Sequence, residues 1–469
     1  MPDVVVVSNR GPVSFRLDGE GRPVPAGSGG GLASTLRPLL AGTGALWVAA
    51  TMSEADRLAT QQGLMTDEGV GLVYVAPDPD QYRLAYDVVS NATLWFCHHH
   101  LFDLPRRPRF DRRWHAAWES YRSFNRLFAE SVAERAPEGA TVLVQDYHLS
   151  LTGGMLRASR PDLRTVHFTH TPFGDASALR VLPAAAAGEL LAGMAGFGVC
   201  GFHTARWEQL FRSCYDDGEL AEAAGEVPAP TTFHAPLGPD PDTIAAEAAT
   251  PACRDARAAL DARVGDRKLI VRVDRVELSK NILRGCLAFE ELLETRPGWL
   301  GRVELLTLAY PSREGLAEYL AYRSEVEHTV DRINRTWGTA DWTPIVLEVA
   351  DARERSLAAL TRYDVLLVNP VRDGLNLVAK EGPLLNTNDG VLVVSREAGV
   401  WDEVRGAAIG VNPFDVTGTA EALDRALTLE PAVRSAQAAR LHALVRSRTA
   451  THWLEDQLAA AAAIPGGPG

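Results

Sequence analysis

The sequence predicts an α/β protein built from two doubly wound domains, each with a largely parallel sheet. Short apolar runs typical of buried strands recur along the chain, and a longer stretch with helical periodicity separates each run from the next. Strands that alternate with helices in this way form parallel βαβ units covered by helices. The chain has 469 residues, which is too many for one hydrophobic core, so we expect two domains with a ligand cleft between them.

Six apolar runs in the first half predict strands, at residues 4–7, 46–49, 71–75, 141–144, 165–168 and 198–202. A long stretch with helical periodicity, residues 113–136, precedes the fourth run. The most apolar window, residues 182–202, contains Glu189, one proline and five glycines, so it predicts a helix that leads into a strand and not a membrane span. The pattern stops at a proline-dense stretch, residues 227–242, which we interpret as a linker.

A second series of apolar runs follows the linker and predicts strands at residues 269–273, 303–308, 345–349, 365–368 and 390–394. Helices are expected over residues 282–294 and 421–431. The predicted organisation is therefore a first domain over residues 1–236 and a second over residues 237–455. The last helix is free to pack back on the first domain, and residues 456–469 are expected to form a flexible tail.

The composition excludes several classes of protein. The formal net charge is −13 and the chain has no basic block, which argues against a nucleic-acid partner and an anionic membrane surface. The five cysteines are scattered without CxxC spacing, so neither a disulfide framework nor a zinc site is indicated. The N-terminus leads directly into an apolar run without features of a signal peptide. We therefore expect a cytoplasmic protein.

Polar clusters follow many of the predicted strands. Doubly wound sheets bind ligands beyond the carboxyl ends of their strands, and charges placed there are costly unless they face a ligand. The clusters are Ser8-Asn9-Arg10, Gln145-Asp146-Tyr147-His148, His170-Thr171-Pro172, Asp274-Arg275, Pro311-Ser312-Arg313 and Arg372-Asp373-Gly374. These positions are the predicted ligand-binding residues.

Each motif has a plain alternative when it is taken alone. The glycine-rich loop "GSGGGLASTL", residues 27–36, could bind a phosphate through its backbone N–H groups, but its spacing matches neither GxGxxG nor GxxxxGK[ST], and a surface loop explains it as well. Arg275 and Lys280 in "RVELSK" suit a diphosphate, or are a pair of surface cations. His170 could hydrogen-bond a substrate hydroxyl, or could be a histidine of the core.

A metal site is not indicated by the histidine run "FCHHH", residues 96–100. Three successive side chains point in different directions on a strand or a helix, so they do not converge on one ion. The "DPD" triplets at residues 78–80 and 240–242 lie in proline-bearing loops and are weak signals for a metal. No cofactor is expected.

The stretch "NPVRDGLNLVAKE", residues 369–381, follows a predicted strand and combines Asp373, Gly374, a helix start and Glu381. Together with "SNR", "GGGL", "YDVVSNATLW", "VQDYHL", "FTHTPF", "RVELSK" and "YPSR", it forms an ordered set of motifs between about Val4 and Trp453. This set resembles the trehalose-6-phosphate synthase family of retaining glycosyltransferases, family 20. Its variants "HTP", "ELSKN" and "VNPxRDG" are similar to actinobacterial-type members, some of which favour GDP-glucose over UDP-glucose.

The resemblance implies a GT-B fold, with two Rossmann-like domains and the active site between them. It implies transfer of glucose from a nucleotide-glucose to glucose 6-phosphate without a metal, with retention, to give α,α-trehalose 6-phosphate and a nucleoside diphosphate. The implied partners are these small molecules, with no nucleic acid or membrane, and a homo-oligomer is compatible with the sequence.

The resemblance also implies roles for individual residues. The first domain would bind the acceptor and the second the nucleotide-sugar. The acceptor residues would be Arg10 and Arg313 on the phosphate, Tyr86 and Trp95 closing the pocket, and Asp146 on the sugar. The donor residues would be His170 and Asp373 on glucose, and Glu381 on the ribose. Arg275 and Lys280 would neutralise the diphosphate, assisted by backbone N–H groups of Gly31, Asn376 and Leu377. Gly30, Gly374 and Val378 would complete the nucleotide-sugar site.

Several alternatives stay open. Asn281 replaces a glycine of the commoner family motif, and "HTPFG" and "LWFCHHH" also depart from it, which leaves the donor base and acceptor detail undecided. A glucosylglycerol-phosphate synthase, a pseudo-glycosyltransferase, a sugar-nucleotide epimerase and a non-catalytic phosphosugar-binding protein remain rivals. The sequence does not indicate the nucleobase, the exact acceptor, the oligomeric state or the regulation.

Overall fold

The computed structural model describes residues 3–26, 31–64 and 69–464 and divides the chain into two compact units. The first unit comprises Met1–Pro236 with Ala450–Gly469, and the second comprises Leu237–Thr449. Each unit is built on its own parallel sheet, and the chain leaves the first unit once and returns to it near its end.

The first unit contains a seven-stranded parallel sheet in the order β5-β4-β1-β6-β7-β8-β9. The interior strand β1 is fully buried, which explains its run of four valines, because a strand covered on both faces has no polar side. A separate two-stranded antiparallel hairpin, β2-β3, follows β1 in the chain. The strands are β1 Val4–Ser8, β2 Phe15–Leu17, β3 Pro23–Pro25, β4 Leu46–Ala50, β5 Gly71–Val75, β6 Thr141–Gln145, β7 Arg164–Thr169, β8 Val199–Phe202 and β9 Thr231–His234.

The helices of the first unit connect these strands, and the last helix of the chain joins them. The helices are α1 Gly31–Leu40, α2 Glu54–Gln61, α3 Pro79–Arg83, α4 Trp95–His99, α5 Arg112–Arg135, α6 Thr152–Ser159, α7 Ala176–Leu179, α8 Ala184–Ala195, α9 Ala205–Ser213, α10 Gly218–Ala223 and, at the end of the chain, α20 Ala450–Ala462. A π-helix, Leu84–Leu94, joins α3 to α4 without a break.

The second unit contains a six-stranded parallel sheet in the order β12-β11-β10-β13-β14-β15. Its strands are β10 Lys268–Arg275, β11 Val303–Tyr310, β12 Ile345–Val349, β13 Val365–Val368, β14 Val391–Ser395 and β15 Ile409–Val411. Its helices are α11 Pro241–Ala248, α12 Pro251–Val264, α13 Ile282–Thr295, α14 Ala317–Trp337, α15 Arg353–Arg362, α16 Val378–Leu385, α17 Trp401–Val404, α18 Val416–Thr428 and α19 Pro431–Arg446.

The predicted α/β class with two doubly wound parallel sheets is confirmed, and each predicted strand lies within two residues of an observed one. The predicted linker is wrong over residues 231–234, because these residues form β9 at the edge of the first sheet. The predicted flexible tail is wrong over residues 456–462, because α20 continues to Ala462 and buries Gln457 and Ala461. The hairpin β2-β3 and the edge strand β15 were not predicted, since strands of three residues carry too little periodicity.

Among the described residues, no helix is long and apolar enough to cross a membrane.

Candidate functional site

The predicted site residues collect at the carboxyl ends of neighbouring strands in each unit. In the first unit, Arg10, Asp146 and His170 follow β1, β6 and β7, which are adjacent in the sheet. In the second unit, Arg275 ends β10 and Arg313 follows β11, and the loop after β13 carries Asp373. Carboxyl ends of adjacent parallel strands share one edge of the sheet, so each unit gathers its predicted residues on one edge.

Asp146 is held in an unusual backbone conformation at the end of β6. Its φ of 71° and ψ of 167° are rarely adopted by a residue with a side chain. Three hydrogen bonds hold it there: its backbone N–H donates to Phe168 O at 2.8 Å, its carbonyl oxygen lies 3.1 Å from His167 Nε2, and its Oδ1 accepts from the backbone N–H of His170 at 3.2 Å. The strain is therefore supported by β7 and fixes the direction of the carboxylate.

His170 lies in a hydrogen-bonded chain of polar side chains. Its Nε2 is 2.9 Å from Gln145 Oε1, and its Nδ1 is 3.2 Å from His203 Nε2. The amide of Gln145 donates in turn to Gln457 Oε1 of α20 at 3.2 Å, which turns the Gln145 oxygen towards His170. Burial, reinforced by His167, lowers the pKa of His170 to about 3, so the ring is neutral at pH 7.

A neutral His170 in this chain must carry its proton on Nε2, because Gln145 presents an oxygen to that atom. Its Nδ1 then accepts from His203. Both ring nitrogens are therefore engaged within the protein. The predicted contact with a sugar hydroxyl requires that the hydroxyl replace one of these two partners.

Arg10 and Tyr86, both predicted to bind the acceptor, are connected through Tyr82. Tyr82 donates to Asn9 Oδ1 at 3.2 Å, beside Arg10, and its ring stacks on Tyr86 with centroids 5.4 Å apart. Tyr86 stacks in turn on His148, two residues after Asp146, at 5.6 Å. The first unit therefore brings the predicted acceptor residues Arg10, Tyr86 and Asp146 into one neighbourhood.

Trp95 lies further inside the first unit than its predicted role suggests. Only 2% of it is exposed, and its ring stacks on His99 with centroids 4.2 Å apart. The Nδ1 of His99 also lies 2.7 Å from Trp95 O. One histidine of the run "FCHHH", His99, thus contacts Trp95 within the first unit.

The π-helix that carries Tyr86 was not predicted from the sequence. Two hydroxyls close its wide turns: Ser90 Oγ donates to Ala85 O at 2.9 Å, and Thr93 Oγ1 donates to Val88 O at 2.8 Å, each across five residues. Helices of this type are rare and often occur at functional sites. The spacing of these hydroxyls is the only sequence signal that could have indicated it.

Glu277 gathers the predicted phosphate-binding cations of the second unit, although the sequence did not indicate it. Its Oε1 lies 2.8 Å from Arg275 Nη1 and accepts from Ser312 Oγ at 2.9 Å. Burial alone would raise the pKa of Glu277, but the charges of Arg275, Arg313 and Lys280 outweigh it and hold the pKa at about 2. One buried carboxylate is thus surrounded by three cations. These four side chains together, the cation group, carry a net positive charge.

Lys280 and Asp373 form a buried ion pair beside this group. Nζ of Lys280 is 2.5 Å from Asp373 Oδ2, and each side chain is about one-seventh exposed, at 13% and 15%. Burial alone would lower the pKa of Lys280, but the carboxylates of Asp373, Glu277 and Asp274 together outweigh it and raise that pKa above its usual value. Lys280 is therefore charged at pH 7, and both side chains of the pair keep a small exposed fraction.

The helix start predicted after Asp373 is present. Asn376 has a positive φ of 87°, donates to Asp373 Oδ2 at 3.1 Å and accepts from Ala379 N at 3.1 Å. Leu377 precedes the first residue of α16, Val378, and Gly374 lies between Asp373 and this start. The first N–H groups of a helix have no acceptor within it, and they favour an anion.

Glu381, the predicted ribose ligand, is already paired. Its Oε2 lies 3.2 Å from Arg353 Nη1, and Arg353 Nη2 lies 3.2 Å from Glu247. Burial raises the pKa of Glu381, and Arg353 offsets only part of this rise. Arg353 is a second site residue that the sequence did not indicate.

Two details complete the comparison with the predicted residues. Gly30 lies outside the described residues, and Gly31 begins α1.

Asn281, which replaces a motif glycine, has left-handed φ and ψ of 59° and 38°. Asparagine adopts this conformation more readily than most residues, and its Nδ2 donates to Asn369 O at 2.9 Å and Pro413 O at 2.7 Å.

The chain is similar to known proteins over nearly its whole length. Residues 2–463 match the family model of glycosyltransferase family 20. The trehalose-6-phosphate synthase of Mycolicibacterium smegmatis is 32% identical over 485 residues, covering 98% of this chain and 92% of that protein.

Two solved structures are also similar over nearly the whole chain. A UDP-forming α,α-trehalose-phosphate synthase of Burkholderia xenovorans in complex with glucose-6-phosphate has a TM-score of 0.82 and 28% identity, covering 98% of this chain and 100% of that one. A trehalose-6-phosphate protein of E. coli bound with UDP-2-fluoro glucose has a TM-score of 0.83 and 28% identity, covering 98% and 99%.

Proposed function

Since this chain belongs to glycosyltransferase family 20, we propose that it transfers glucose from a nucleotide-glucose to glucose 6-phosphate and releases a nucleoside diphosphate. The product is α,α-trehalose 6-phosphate. The relatives solved with glucose-6-phosphate and with UDP-2-fluoro glucose support both substrates. The observation that carries the proposal is the cation group around Glu277, placed beside the Lys280–Asp373 pair.

The cation group suits the leaving group of this reaction. Breaking a glucose–diphosphate bond develops negative charge on the departing phosphate oxygen. Arg275 and Lys280 are positioned before the substrate arrives, so they stabilise that charge more in the transition state than in the ground state. The N–H groups at the start of α16 add to the same effect.

We propose that the transfer retains the anomeric configuration by reaction on one face of the sugar. The departing phosphate oxygen accepts the proton of the acceptor hydroxyl, and that hydroxyl oxygen forms the new bond to C1. Asp373 is paired with Lys280 and Asn376, which suits recognition of sugar hydroxyls better than attack on carbon. Asp146 and His170 supply hydrogen bonds from the first unit.

The acceptor phosphate is assigned to Arg10 and Arg313. Arg10 is exposed at the end of β1. Arg313 has a positive φ of 47°, and its guanidinium lies 5.5 Å from the centre of the Tyr319 ring. Tyr86 and Trp95 are assigned to the wall of the acceptor pocket, and Glu381 to the ribose of the donor.

The test is direct. Purified protein incubated with UDP-glucose or GDP-glucose and glucose 6-phosphate is expected to release nucleoside diphosphate and form trehalose 6-phosphate, measured by coupled assay and mass spectrometry. Failure with UDP-, GDP- and ADP-glucose alike contradicts the proposal. Comparing the three donors at fixed acceptor identifies the base, which we propose to be uracil or guanine.

We further propose that no divalent metal is needed, because Arg275 and Lys280 supply the positive charge that a metal supplies elsewhere. Turnover is then expected to be unchanged in excess EDTA. A loss that Mg²⁺ or Mn²⁺ restores contradicts this part of the proposal alone.

A related transferase with another acceptor is the second candidate, because the Arg10 and Arg313 positions specify a phosphate more strongly than a particular sugar. An acceptor panel with glucose 6-phosphate, glycerol 3-phosphate and a cyclitol phosphate separates the two. A third outcome, binding of glucose 6-phosphate without turnover of any donor, indicates a non-catalytic phosphosugar-binding protein.

A further inference from the structure

Four arginines from different parts of the chain surround a hollow beside the edge strand of the second sheet. The hollow measures about 450 Å³, and β15, the outermost strand of the sheet, contributes to its lining. The arginines are Arg396 after β14, Arg405 after α17, Arg425 on α18 and Arg440 on α19. We propose that this arginine hollow, defined by these four residues, binds a small phosphorylated molecule through its phosphate groups.

The positive charge of the arginine hollow is poorly compensated. Arg405, Arg425 and Arg440 are exposed, and within the described ranges none of the three forms an ion pair with a carboxylate. Some other exposed arginines of the same unit are paired, as Arg332 is with Glu290 at 2.6 Å. Convergence of unpaired cations is unfavourable by itself, and it is unexpected in a chain with a net charge of −13 unless an anion completes it.

Two carboxylates close in sequence to Arg405 and Arg425 are engaged elsewhere. Glu403, two residues before Arg405, pairs with the buried Lys380 at 2.7 Å. Asp424, next to Arg425, pairs with Arg296 at 3.1 Å. These groups are therefore not available to neutralise the arginine hollow from within the unit.

The shape and lining of the arginine hollow favour a phosphate over other ligands. A guanidinium offers paired N–H donors that match phosphate oxygens, and four of them can hold more than one phosphate group. The described lining residues include no aromatic side chain on which a base could stack. The expected ligand is thus a compact phosphate ester or diphosphate, recognised by its charge.

Gly406 allows Arg440 to lie close to the wall of the hollow. Nη2 of Arg440 is only 2.8 Å from the position that a Cβ would occupy at residue 406. A larger side chain at this position would displace the guanidinium without changing any charge. This provides a variant that separates a defined site from a diffuse positive surface.

The test is calorimetric titration of the full-length protein with inorganic pyrophosphate and, separately, orthophosphate. Because the proposed active site also binds phosphates, the titration is made on wild type and on R275A/K280A. In the latter, binding at the arginine hollow is expected to remain, with pyrophosphate tighter than orthophosphate. The triple variant R405Q/R425Q/R440Q is expected to weaken this binding by at least about tenfold, and Gly406→Leu by a similar factor.

A matched control removes three exposed arginines of the same unit that lie outside the hollow, in R254Q/R302Q/R335Q, and is expected to leave the affinity within about twofold. Circular dichroism and thermal unfolding show that each variant is folded; if the triple variant is not, Gly406→Leu decides. Equal losses in the control triple, or binding that disappears entirely in R275A/K280A, overturn the proposal. Unchanged binding in Gly406→Leu and in the triple variant also overturns it.

Discussion

The two sheet edges that carry the predicted site residues use different physical means. At the edge of the first sheet, a neutral chain of hydrogen bonds runs from Gln457 through Gln145 to His170 and His203. At the edge of the second sheet, the contacts are ion pairs, with Glu277 and Asp373 among three cations. The first arrangement suits uncharged sugar hydroxyls, and the second suits a leaving group on which charge develops.

This difference also predicts how each edge responds to change. Ion pairs fixed in advance act mostly in the transition state, so their loss should appear in kcat. A neutral network that orients one ring acts on geometry, so its loss should be smaller and recoverable by a similar side chain. The four experiments below test this contrast, from the largest expected effect to the smallest.

Replacing Lys280 by methionine should have the largest effect. It removes a cation from the proposed leaving-group site and leaves Asp373 without its 2.5 Å partner, so kcat should fall by roughly 10²- to 10³-fold with less change in KM. Steady-state kinetics with the preferred donor measures this. Lys280→Arg is the matched control and should retain more activity. If kcat falls equally in Lys280→Met and in the Gln457→Leu variant described below, the contrast between the two units is contradicted.

Replacing Glu277 by glutamine should release the three cations and change the pH dependence of stability. The folded pKa of about 2 lies below the ordinary 4.5, so this group stabilises the fold fully above pH 4.5, and the stabilisation is lost as pH falls towards 2. The difference corresponds to about 3 kcal/mol. Turnover at pH 7 should fall about tenfold, because Arg275 loses its partner.

Urea unfolding of wild type and E277Q at pH 7, 5 and 3 measures this dependence. The gap in unfolding free energy should be largest at pH 7 and shrink at pH 3. A gap that stays constant across this range would show that Glu277 is not held ionised by its neighbours.

Replacing Gln457 by leucine should have a moderate effect through His170. Without the Gln457 oxygen, the Gln145 amide is free to turn, and His170 loses the acceptor that holds its proton on Nε2. Turnover should fall about three- to tenfold, and ¹⁵N chemical shifts of the His170 ring should show a mixture of tautomers. Gln457→Glu keeps an acceptor for the Gln145 amide and should restore most of the activity; a single unchanged tautomer in the leucine variant would contradict this role.

Replacing Asn281 by glycine, the residue of the commoner motif, should have the smallest effect. Glycine tolerates the left-handed backbone but loses three hydrogen bonds, those donated to Asn369 O and Pro413 O and the one accepted from Arg284 Nη1. The unfolding free energy should therefore fall by about 1 kcal/mol with turnover nearly unchanged. Asn281→Ala should cost more, because it adds backbone strain to the same loss. Thermal unfolding and kinetics of both variants check this order.

The sequence predicted those parts of the molecule that leave a local pattern. The buried strands did so through apolar runs, and Asp146, His170, Arg275 and Asp373 did so by their places just beyond strand ends, where the structure finds them. The sequence did not predict contacts between side chains that lie far apart along the chain. Gln457 meets Gln145 across more than 300 residues, and neither side chain carries a signal of the other.

The remaining errors also have physical causes. The π-helix has five-residue hydrogen bonds that apolar periodicity does not register, and its closing hydroxyls look like ordinary surface serines and threonines. Glu277 lies within the motif "RVELSK" but was not predicted as a site residue, because its role depends on Arg313, which follows a different strand. The end of the chain resembled a frayed tail because its run of alanines is apolar without a clear face.

The return of α20 to the first unit has a consequence for biosynthesis. The second unit, Leu237–Thr449, is continuous in the chain and can complete its core while translation proceeds. The first unit cannot, because Trp453 and Gln457, both fully buried, are translated only after the whole second unit. At roughly 5–20 residues per second, the N-terminal sheet waits on the order of 10–40 s for its final helix, so the part made first is the part finished last.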